Sequence, residues 1–249
     1  MPHFYCIRLI FCLLVLGAFS VQAQERLVRI AADEWPPMTG TELHQGGFSV
    51  HLAKEVLIDL GYQVTVEFMP WKRIMRTQSR SDYDLIPAIW HSQERESAYA
   101  FTQSYLENKV VFVSLKENAF PYTDLSSLQN KRVGIVSSYS YPEALLNYDQ
   151  AKWQAGLDLN QNLKKLFGKR LDMMIGTDAV IRYEAQQKFN HEPPLYYHMD
   201  NPIEVRTLHM AINRTFPDHD VLAQQISKRI ELFKQDGRFE SLKQQHGLK

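Results

Sequence analysis

The sequence is poor in cysteine, and the two cysteines that it contains, Cys6 and Cys12, both lie near its N-terminus. Beyond residue 12 no thiol is available, so this part of the chain forms no disulfide and no thiolate zinc site. The nine histidines are dispersed along the sequence and do not stand at metal-ligand spacing. We therefore expect neither a metal site nor a cofactor, and a fold stabilised by its hydrophobic core.

Excess charge of either sign is also missing. The 28 lysines and arginines balance the 28 aspartates and glutamates, and the two signs alternate along the chain without long runs. A nucleic-acid partner normally requires a basic stripe, so this composition argues against one. After residue 23 no apolar run is long enough to cross a membrane. We expect a monomer that depends on a separate membrane protein to carry any cargo inward.

The first 23 residues have the pattern of a cleavable signal peptide. Arg8 is the only charged residue before the cleavage region, and it is followed by an apolar run from Leu9 to Ala18. That run is too short to span a bilayer comfortably, and Val21 and Ala23 supply the small side chains that a signal peptidase selects. We expect cleavage after Ala23 and export to the periplasm, with an uncleaved membrane anchor as the alternative.

The residues after this segment alternate between strand and helix patterns. The strand pattern of residues 27–32 ends at two prolines, and residues 48–60 carry apolar side chains at helical spacing. Strand, short basic helix and strand follow at residues 64–68, 71–77 and 84–89. The order β-α-β-α-β predicts a parallel sheet that is covered by helices.

A second, weaker series follows and predicts a second lobe. Strands are expected at 110–114, 131–136, 171–175 and 208–212, and helices at 142–148, 159–167, 179–188, 221–234 and 239–245. Open α/β sheets bind ligands beyond the carboxyl ends of their strands. Two facing lobes would therefore place the loops at 33–37, 89–95, 137–141 and 176–178 around one cleft.

Several segments, in this order, resemble the bacterial extracellular solute-binding proteins of family 3, the polar amino-acid binders that feed ABC transporters. Together they span essentially the whole chain after the signal peptide, although each is weak alone. The matching segments are Gly46-Gly-Phe-Ser-Val-His-Leu-Ala-Lys-Glu-Val56, Asp84-Leu-Ile86, Ser92-Gln-Glu-Arg95, Phe101-Thr102, Leu125-Ser-Ser-Leu-Gln-Asn-Lys-Arg-Val-Gly-Ile135, Arg170-Leu-Asp172 and Phe233-Lys-Gln-Asp-Gly-Arg-Phe-Glu-Ser-Leu242.

The resemblance implies an α/β, two-lobed type II periplasmic-binding-protein fold, with two mixed or parallel sheets joined by two crossover strands. Lobe 1 would comprise residues 25–113 plus 207–249, and lobe 2 residues 114–206. The implied function is capture of a small polar ligand, an amino acid or related carboxylate, by hinge closure and its delivery to an inner-membrane ABC permease. The segments Trp35-Pro-Pro37 and Trp71-Lys-Arg73 mark a divergent subgroup, which leaves the ligand open.

The resemblance also implies ligand contacts. Arg95 corresponds to the arginine that clamps the ligand's α-carboxylate, for which the guanidinium fork is well suited. The alternative is a surface arginine that pairs with Glu94 or Glu96. Ser140 occupies a loop that binds anions before a helix, although it could simply cap that helix.

Two carboxylates are candidates for a positive group of the ligand. Asp178 stands one residue beyond the position at which the amino-acid binders hold the ligand ammonium, where this chain has Thr177. Its alternative role is to cap the helix that is predicted to begin at Ala179. Asp33, on the first loop, matches a side-chain contact of the basic amino-acid binders.

Tryptophans are the distinctive feature of the predicted cleft. Trp35, Trp71 and Trp90 each stand at a loop or element edge that is expected to face it, and Tyr139 and Tyr141 are expected to join them from lobe 2. Aromatic walls stack on flat or cationic ligands and contribute about 0.5–2 kcal/mol each. Packing in the core is the alternative, above all for Trp90, which continues an apolar strand.

No motif of a nucleophile with its base, of a zinc protease or of a phosphate loop is present. We therefore predict a binding protein with no catalytic residues. The alternative is a periplasmic enzyme on the same fold, a dehydratase of cyclohexadienyl acids, for which Glu34 or Asp178 could serve as general acid. A third possibility is a module that presents its liganded form to a membrane receptor.

Overall fold

The computed structural model describes residues 26–77, 80, 82–137, 139, 141–187 and 193–248. The predicted signal peptide lies outside these residues, and so does Ser140. None of the helices in the described ranges is long and apolar enough to cross a membrane.

The described chain is a mixed α/β structure with ten strands and seven α-helices. The strands are β1 Arg26–Ala32, β2 Tyr62–Phe68, β3 Leu85–Trp90, β4 Tyr99–Phe101, β5 Leu106–Leu115, β6 Arg132–Val136, β7 Lys152–Gly156, β8 Met173–Thr177, β9 Leu195–Tyr197 and β10 Glu204–Asn213. The helices are α1 Phe48–Asp59, α2 Trp71–Thr77, α3 Glu143–Leu146, α4 Leu159–Phe167, α5 Asp178–Gln186, α6 His219–Gln235 and α7 Arg238–Gln245.

Two parallel groups of strands are joined by two long antiparallel ones. The hydrogen-bonded order is β2-β1-β3-β10-β5-β8-β6-β7, with β4 paired to β10 and β9 to β5. Strands β2, β1 and β3 are parallel to one another, as are β7, β6 and β8, whereas β10 and β5 run antiparallel to each other and to their outer neighbours. The chain therefore passes between the two halves on β5 and β10, and the hydrogen bonding is continuous through this pair.

Each half of the sheet is covered on both faces, because neighbouring residues of a strand point to opposite sides. In the first half, Ile30 packs with residues of α1, α6 and α7, and the adjacent Ala31 packs with Ile74 of α2. In the second half, Met174 packs with α4 and α5, whereas Ile175 packs with Leu145 of α3. The continuous apolar strands predicted for a buried parallel sheet are thus explained.

The same ion-pair arrangement anchors a strand in each half. Arg29 of β1 donates from its backbone N, Nε and Nη2 to Asp84, the residue before β3, at 2.8, 2.9 and 2.8 Å. Arg132 of β6 donates from the same three atoms to Asp172, the residue before β8, at 2.7, 3.1 and 2.7 Å. Hydrogen bonding to Arg132 lowers the pKa of Asp172. Both aspartates belong to the family-like segments, and their shared role is to fix the spacing of parallel strands.

Three histidines that are far apart in the sequence meet at the end of α7. His51 Nδ1 lies 3.1 Å from His246 Nε2, and the ring of His44 is 5.7 Å from both other rings. Burial, followed by His51 and then His44, lowers the pKa of His246 to about 4. Among the described residues no three histidine, cysteine or carboxylate side chains are arranged to hold a metal ion. The three imidazole rings instead help to pack the end of α7 on α1.

The secondary structure predicted from the sequence pattern is wrong in a few places. The helix predicted at 142–148 is the single turn Glu143–Leu146, and three short strands, β4, β7 and β9, are not predicted at all. Strand β7 is an edge strand with mostly exposed or half-buried residues, so it lacks the apolar run that identifies its neighbours. The last strand begins at Glu204, earlier than predicted. The prediction missed this start because the first residues of the strand are mostly polar.

Candidate ligand-binding site

The predicted site residues stand where parallel strands end. Asp33 directly follows β1, Trp71 lies beyond the end of β2, and Trp90 is the last residue of β3. In the second half, Tyr139 follows β6 and Asp178 follows β8. Ligands of open α/β folds bind beyond the carboxyl ends of the strands. The fold therefore gives all five residues a position suited to one site.

The loop that carries Trp35 is fixed onto the start of α1. Its backbone closes on itself through hydrogen bonds between Trp35 and Thr39, with N···O distances of 2.9 and 3.1 Å, and the Pro36–Pro37 peptide bond is cis. The backbone N–H of Phe48 donates to the carbonyl of Pro37 at 3.1 Å. The first N–H groups of α1 are thus bound within the protein, and they hold Trp35 in place.

Gly47 makes this close contact possible. Its φ of 95° lies in the left-handed region that favours glycine, and a Cβ at this position would lie 2.6 Å from the carbonyl oxygen of Met38. Gly47, in the glycine pair of the first family-like segment, therefore allows the Trp35 loop to pack against the start of α1.

Trp35 connects the two halves of the molecule. Its half-buried indole packs against the first-half core around Ile30 and also against the second-half core around Leu163. Its ring meets the ring of Trp90 edge to face, with centroids 5.5 Å apart. Ala179 of α5 also packs against the first-half core. The ends of the parallel strands in the two halves therefore face each other across Trp35.

Arg95 is held between two of the predicted tryptophans. It lies in the 3-10 turn Gln93–Ser97, and its Nη1 donates to the carbonyl oxygen of Trp90 at 2.7 Å. The guanidinium carbon is 5.6 Å from the ring centroid of Trp71. Arg95 is half-buried, and this burial lowers the pKa of its guanidinium.

The ion pair of Arg95 with Glu94 or Glu96, considered as the alternative, is not formed in the described chain. In the described part of the chain no carboxylate lies within 4 Å of its guanidinium. Glu96 instead pairs with His91, with 2.7 Å between Nε2 and Oε1, while Glu94 acts on Arg95 only through its charge. A half-buried cation without an anionic partner is suited to binding an anionic ligand.

Asp33, in contrast to Arg95, is a carboxyl group that is partly removed from water and has no cationic partner among the described residues. Burial raises its pKa to about 6, and the charge of Glu34 adds to this, while its own backbone N–H opposes it. In the second half, burial, then the charges of Tyr141 and Asp33, raise the pKa of Tyr139 to about 12. The charge of Asp33 therefore acts on a residue of the other half.

Replacing Asp33 with asparagine is expected to make the stability of the ligand-free protein less dependent on pH. The folded-state pKa of about 6 lies above the reference value of 3.8, so between these values the folded state binds more protons than the unfolded chain. The contribution of Asp33 to the free energy of unfolding is therefore lost as the pH rises through 6. Urea unfolding should show the variant gaining about 1 kcal/mol over the parent chain between pH 5 and pH 7.

Asp149→Asn serves as the control for this comparison, because it removes the same group from an exposed position. A stability difference between Asp33→Asn and the parent chain that is the same at both pH values would contradict the assignment of a buried, raised-pKa carboxyl to Asp33.

The remaining second-half candidates have less support. Asp178 is the first residue of α5, after Thr177, so the predicted capping of a helix at Ala179 is wrong; its carboxylate lies 3.9 Å from Nε of Arg182. Ser140 lies outside the described residues. The helix that follows it is one turn long, Glu143–Leu146, which removes the argument from an anion-binding helix start.

Two residues of this region were missed by the sequence analysis, Arg206 and Asn108. The guanidinium carbon of Arg206 lies 4.3 Å from the ring centroid of Trp90, and its Nη2 lies 2.7 Å from a carboxylate oxygen of Glu204. Asn108, its partner across β5 and β10, is 1% exposed. The available signal was a polar side chain at every second residue before Leu208, which indicates a continuing strand.

Comparison with known proteins identifies the family. The chain matches the model of the bacterial extracellular solute-binding proteins, family 3, over residues 28–249. It belongs to this family. The resemblance deduced from the ordered segments is thereby confirmed. No curated protein matches the chain.

Solved structures show the same fold at low sequence identity. The family 3 protein described here is similar to a mutant of ArgBP from T. maritima (20% identity, TM-score 0.67, covering 87% of this chain and 93% of that one). It is also similar to the probable amino-acid ABC transporter extracellular-binding protein ytmK of Bacillus subtilis (18%, 0.72, 88% and 97%). A third is an ancestral amino acid-binding protein, a precursor of cyclohexadienyl dehydratase (18%, 0.67, 88% and 93%). The predicted type II periplasmic-binding-protein fold is confirmed.

Glu34, one of the two general acids considered for an enzyme on this fold, is occupied structurally in the family 3 protein. Its carboxylate accepts hydrogen bonds from the backbone N of Thr41 at 3.0 Å and from Oγ1 of Thr41 at 2.7 Å, in an exposed position. A general acid needs a proton and access to the substrate. The geometry of Glu34 favours a role in fixing the first loop.

Proposed function

We propose that this family 3 protein captures an amino acid or a related small carboxylate between two lobes and closes over it. Lobe 1 would comprise residues 25–113 plus 207–249, and lobe 2 residues 114–206, with β5 and β10 as the hinge. The observation that carries the proposal is Arg95, a half-buried guanidinium at the carboxyl end of β3 that no described carboxylate neutralises. Its free donors suit the α-carboxylate of a ligand.

Asp33 and the aromatic side chains supply the other contacts of the proposed site. The buried carboxyl of Asp33 has no cationic partner among the described residues, so an ammonium group would stabilise its charged form. Trp35, Trp71 and Trp90 would form the walls on lobe 1, and Tyr139 would close the site from lobe 2. Ser140 and Asp178 stay candidates for additional contacts from lobe 2.

Closure follows from differential affinity, since a ligand that contacts both lobes binds the closed form more tightly than the open one. The strand pair β5 and β10 is the only sheet connection between the two parallel groups in the described chain, which suits it to act as a hinge. We propose that the protein works in the periplasm after cleavage of the signal peptide at Ala23, as a monomer, and that an ABC permease recognises the closed form.

A thermal-shift screen of the mature chain across amino acids, organic acids and polyamines tests this function, because a ligand that binds only the folded state raises the midpoint of unfolding. We expect an increase with an amino acid or small carboxylate, and the retained ligand to be chemically unchanged by mass analysis. Loss of the ligand with appearance of a product would instead support the dehydratase alternative. No response to any carboxylate would reject the proposal.

A further inference from the structure

The two crossover strands and β3 present three polar side chains on one face of the sheet. Leu208 of β10 lies opposite Trp90 of β3 on one side and Leu106 of β5 on the other, and two residues earlier Arg206 lies opposite Asn108. Directly opposed residues share a face, as do residues two apart along a strand. Trp90, Arg206 and Asn108 therefore form one surface, which we call the crossover floor.

Two buried donors of the crossover floor have no acceptor. The side chain of Asn108 is in a residue with 1% exposure, and its Nδ2 has no hydrogen-bond partner within the described ranges. Trp90 is half-buried, but its indole Nε1 is itself buried and also has no hydrogen-bond partner within these ranges. Buried polar groups are almost always hydrogen bonded, and leaving one unpaired is costly. Two such donors on one surface indicate that an acceptor belongs there.

The crossover floor also carries a guanidinium on the side of Trp90. The guanidinium of Arg206 lies over the Trp90 ring, and it reduces the pKa of Arg95 through like-charge repulsion. Arg206 is paired with Glu204, and its charge also reaches Tyr141 of the second half, where burial raises the pKa of Tyr141 and Arg206 partly opposes this rise. The field near the floor thus favours an anionic or acceptor group over a cation.

From this surface we infer that the crossover floor receives a second acceptor-bearing group of the ligand, so that the ligand class is an amino dicarboxylic acid or its amide. The inference rests on the proposed function, in which Arg95 holds the α-carboxylate. The side-chain carboxylate or amide oxygen would accept from Trp90 Nε1 and Asn108 Nδ2. An aliphatic side chain would leave both donors unpaired, and a basic one would bring further donors and positive charge against Arg206.

Isothermal titration of the mature chain with a matched set of ligands tests this class. The set comprises L-aspartate, L-glutamate and L-glutamine, then L-norvaline, which has no side-chain acceptor, and L-lysine and L-arginine. We expect the tightest binder among the first three to exceed norvaline, lysine and arginine by tenfold or more, because each donor satisfied by a ligand acceptor contributes to the difference.

Two substitutions each remove one donor while largely preserving the shape of the site. Trp90→Phe retains a ring beneath Arg206 and against Trp35 but removes the indole N–H, and Asn108→Leu keeps a similar size without the amide. Each should reduce the preference for the acidic or amide ligand over norvaline by about tenfold. The exposed Asn118→Leu makes the same chemical change away from the floor and should leave the preference unaltered.

The outcomes distinguish the two proposals. Binding with a preference for aliphatic or basic amino acids, or a preference that Trp90→Phe and Asn108→Leu leave unchanged in folded protein, would overturn the assignment of the crossover floor while the binding function stands. A folded parent chain that binds none of the six ligands would overturn the assignment of the crossover floor. Only if the thermal-shift screen also finds no carboxylate ligand would the binding function fall with it.

Discussion

Replacing Arg95 with alanine is expected to weaken the binding of a carboxylate ligand by about 2–4 kcal/mol, a factor of roughly 30 to 1000 in the dissociation constant. The guanidinium is half-buried, one of its donors is used by the carbonyl of Trp90, and the described chain supplies no anion to it. A ligand carboxylate would therefore be its charge partner. Isothermal titration with the best ligand of the thermal-shift screen measures the effect.

Arg95→Lys and Arg76→Ala make this measurement specific. Lysine keeps the charge but loses the planar fork, so we expect an intermediate loss of affinity. Arg76 is exposed on α2, and its removal should leave the dissociation constant unchanged. An Arg95→Ala protein that is folded and binds with the parent affinity would place the ligand carboxylate elsewhere.

Replacing Phe48 with alanine is expected to lower the free energy of unfolding by about 3–5 kcal/mol. Its side chain is 0% exposed, and its ring lies 5.6 Å from that of Phe239, 6.2 Å from that of Tyr105 and 6.1 Å from that of His246, measured between centroids. Truncation leaves a cavity where α1 and α7 meet the sheet. Urea unfolding measures the change, with the slope of the free energy of unfolding against urea concentration the same in both proteins.

Ile58→Ala is the matched control on the same helix. Its side chain is 57% exposed, so truncation removes few contacts and should cost less than about 1 kcal/mol. Equal losses for Phe48→Ala and Ile58→Ala would contradict the packing described for α1. Phe48→Leu should fall between the two, because it leaves a smaller cavity.

Much of the fold could be predicted from the sequence because its helices and parallel strands are strongly patterned. The apolar runs at Ile30–Ala32 and Leu85–Ile89 are buried on both faces, so they are recognisable without any tertiary information. Strand β7 could not be recognised in this way. It lies at the edge of the sheet, and its pairing with β6 depends on backbone hydrogen bonds that leave little trace in the side chains.

The site was predictable only where a loop motif marks it. Arg95, Asp33, Trp35 and Trp71 lie beyond the ends of strands, and Trp90 ends one, at places that prolines or polar turns mark directly in the sequence. Arg206 and Asn108 lie inside strands, and their proximity to Trp90 depends on the register of β10 with both β3 and β5. That register joins residues about a hundred positions apart, so no local pattern reports it.

The histidine cluster shows the same limit. His44 and His51 are near each other in the sequence, but His246 reaches them only because α7 folds back onto α1. Spacing along the chain therefore gave no indication of the cluster.

The indole of Trp35 packs against the cores of both halves, so it affects which conformations the ligand-free protein populates. Any rotation that draws the halves apart returns one side of this ring to water, at a cost of about 2 kcal/mol for roughly 100 Å² of apolar surface. Under the proposed hinge closure, this contact would favour the closed arrangement already in the ligand-free protein, and ligand binding would increase the population of that state.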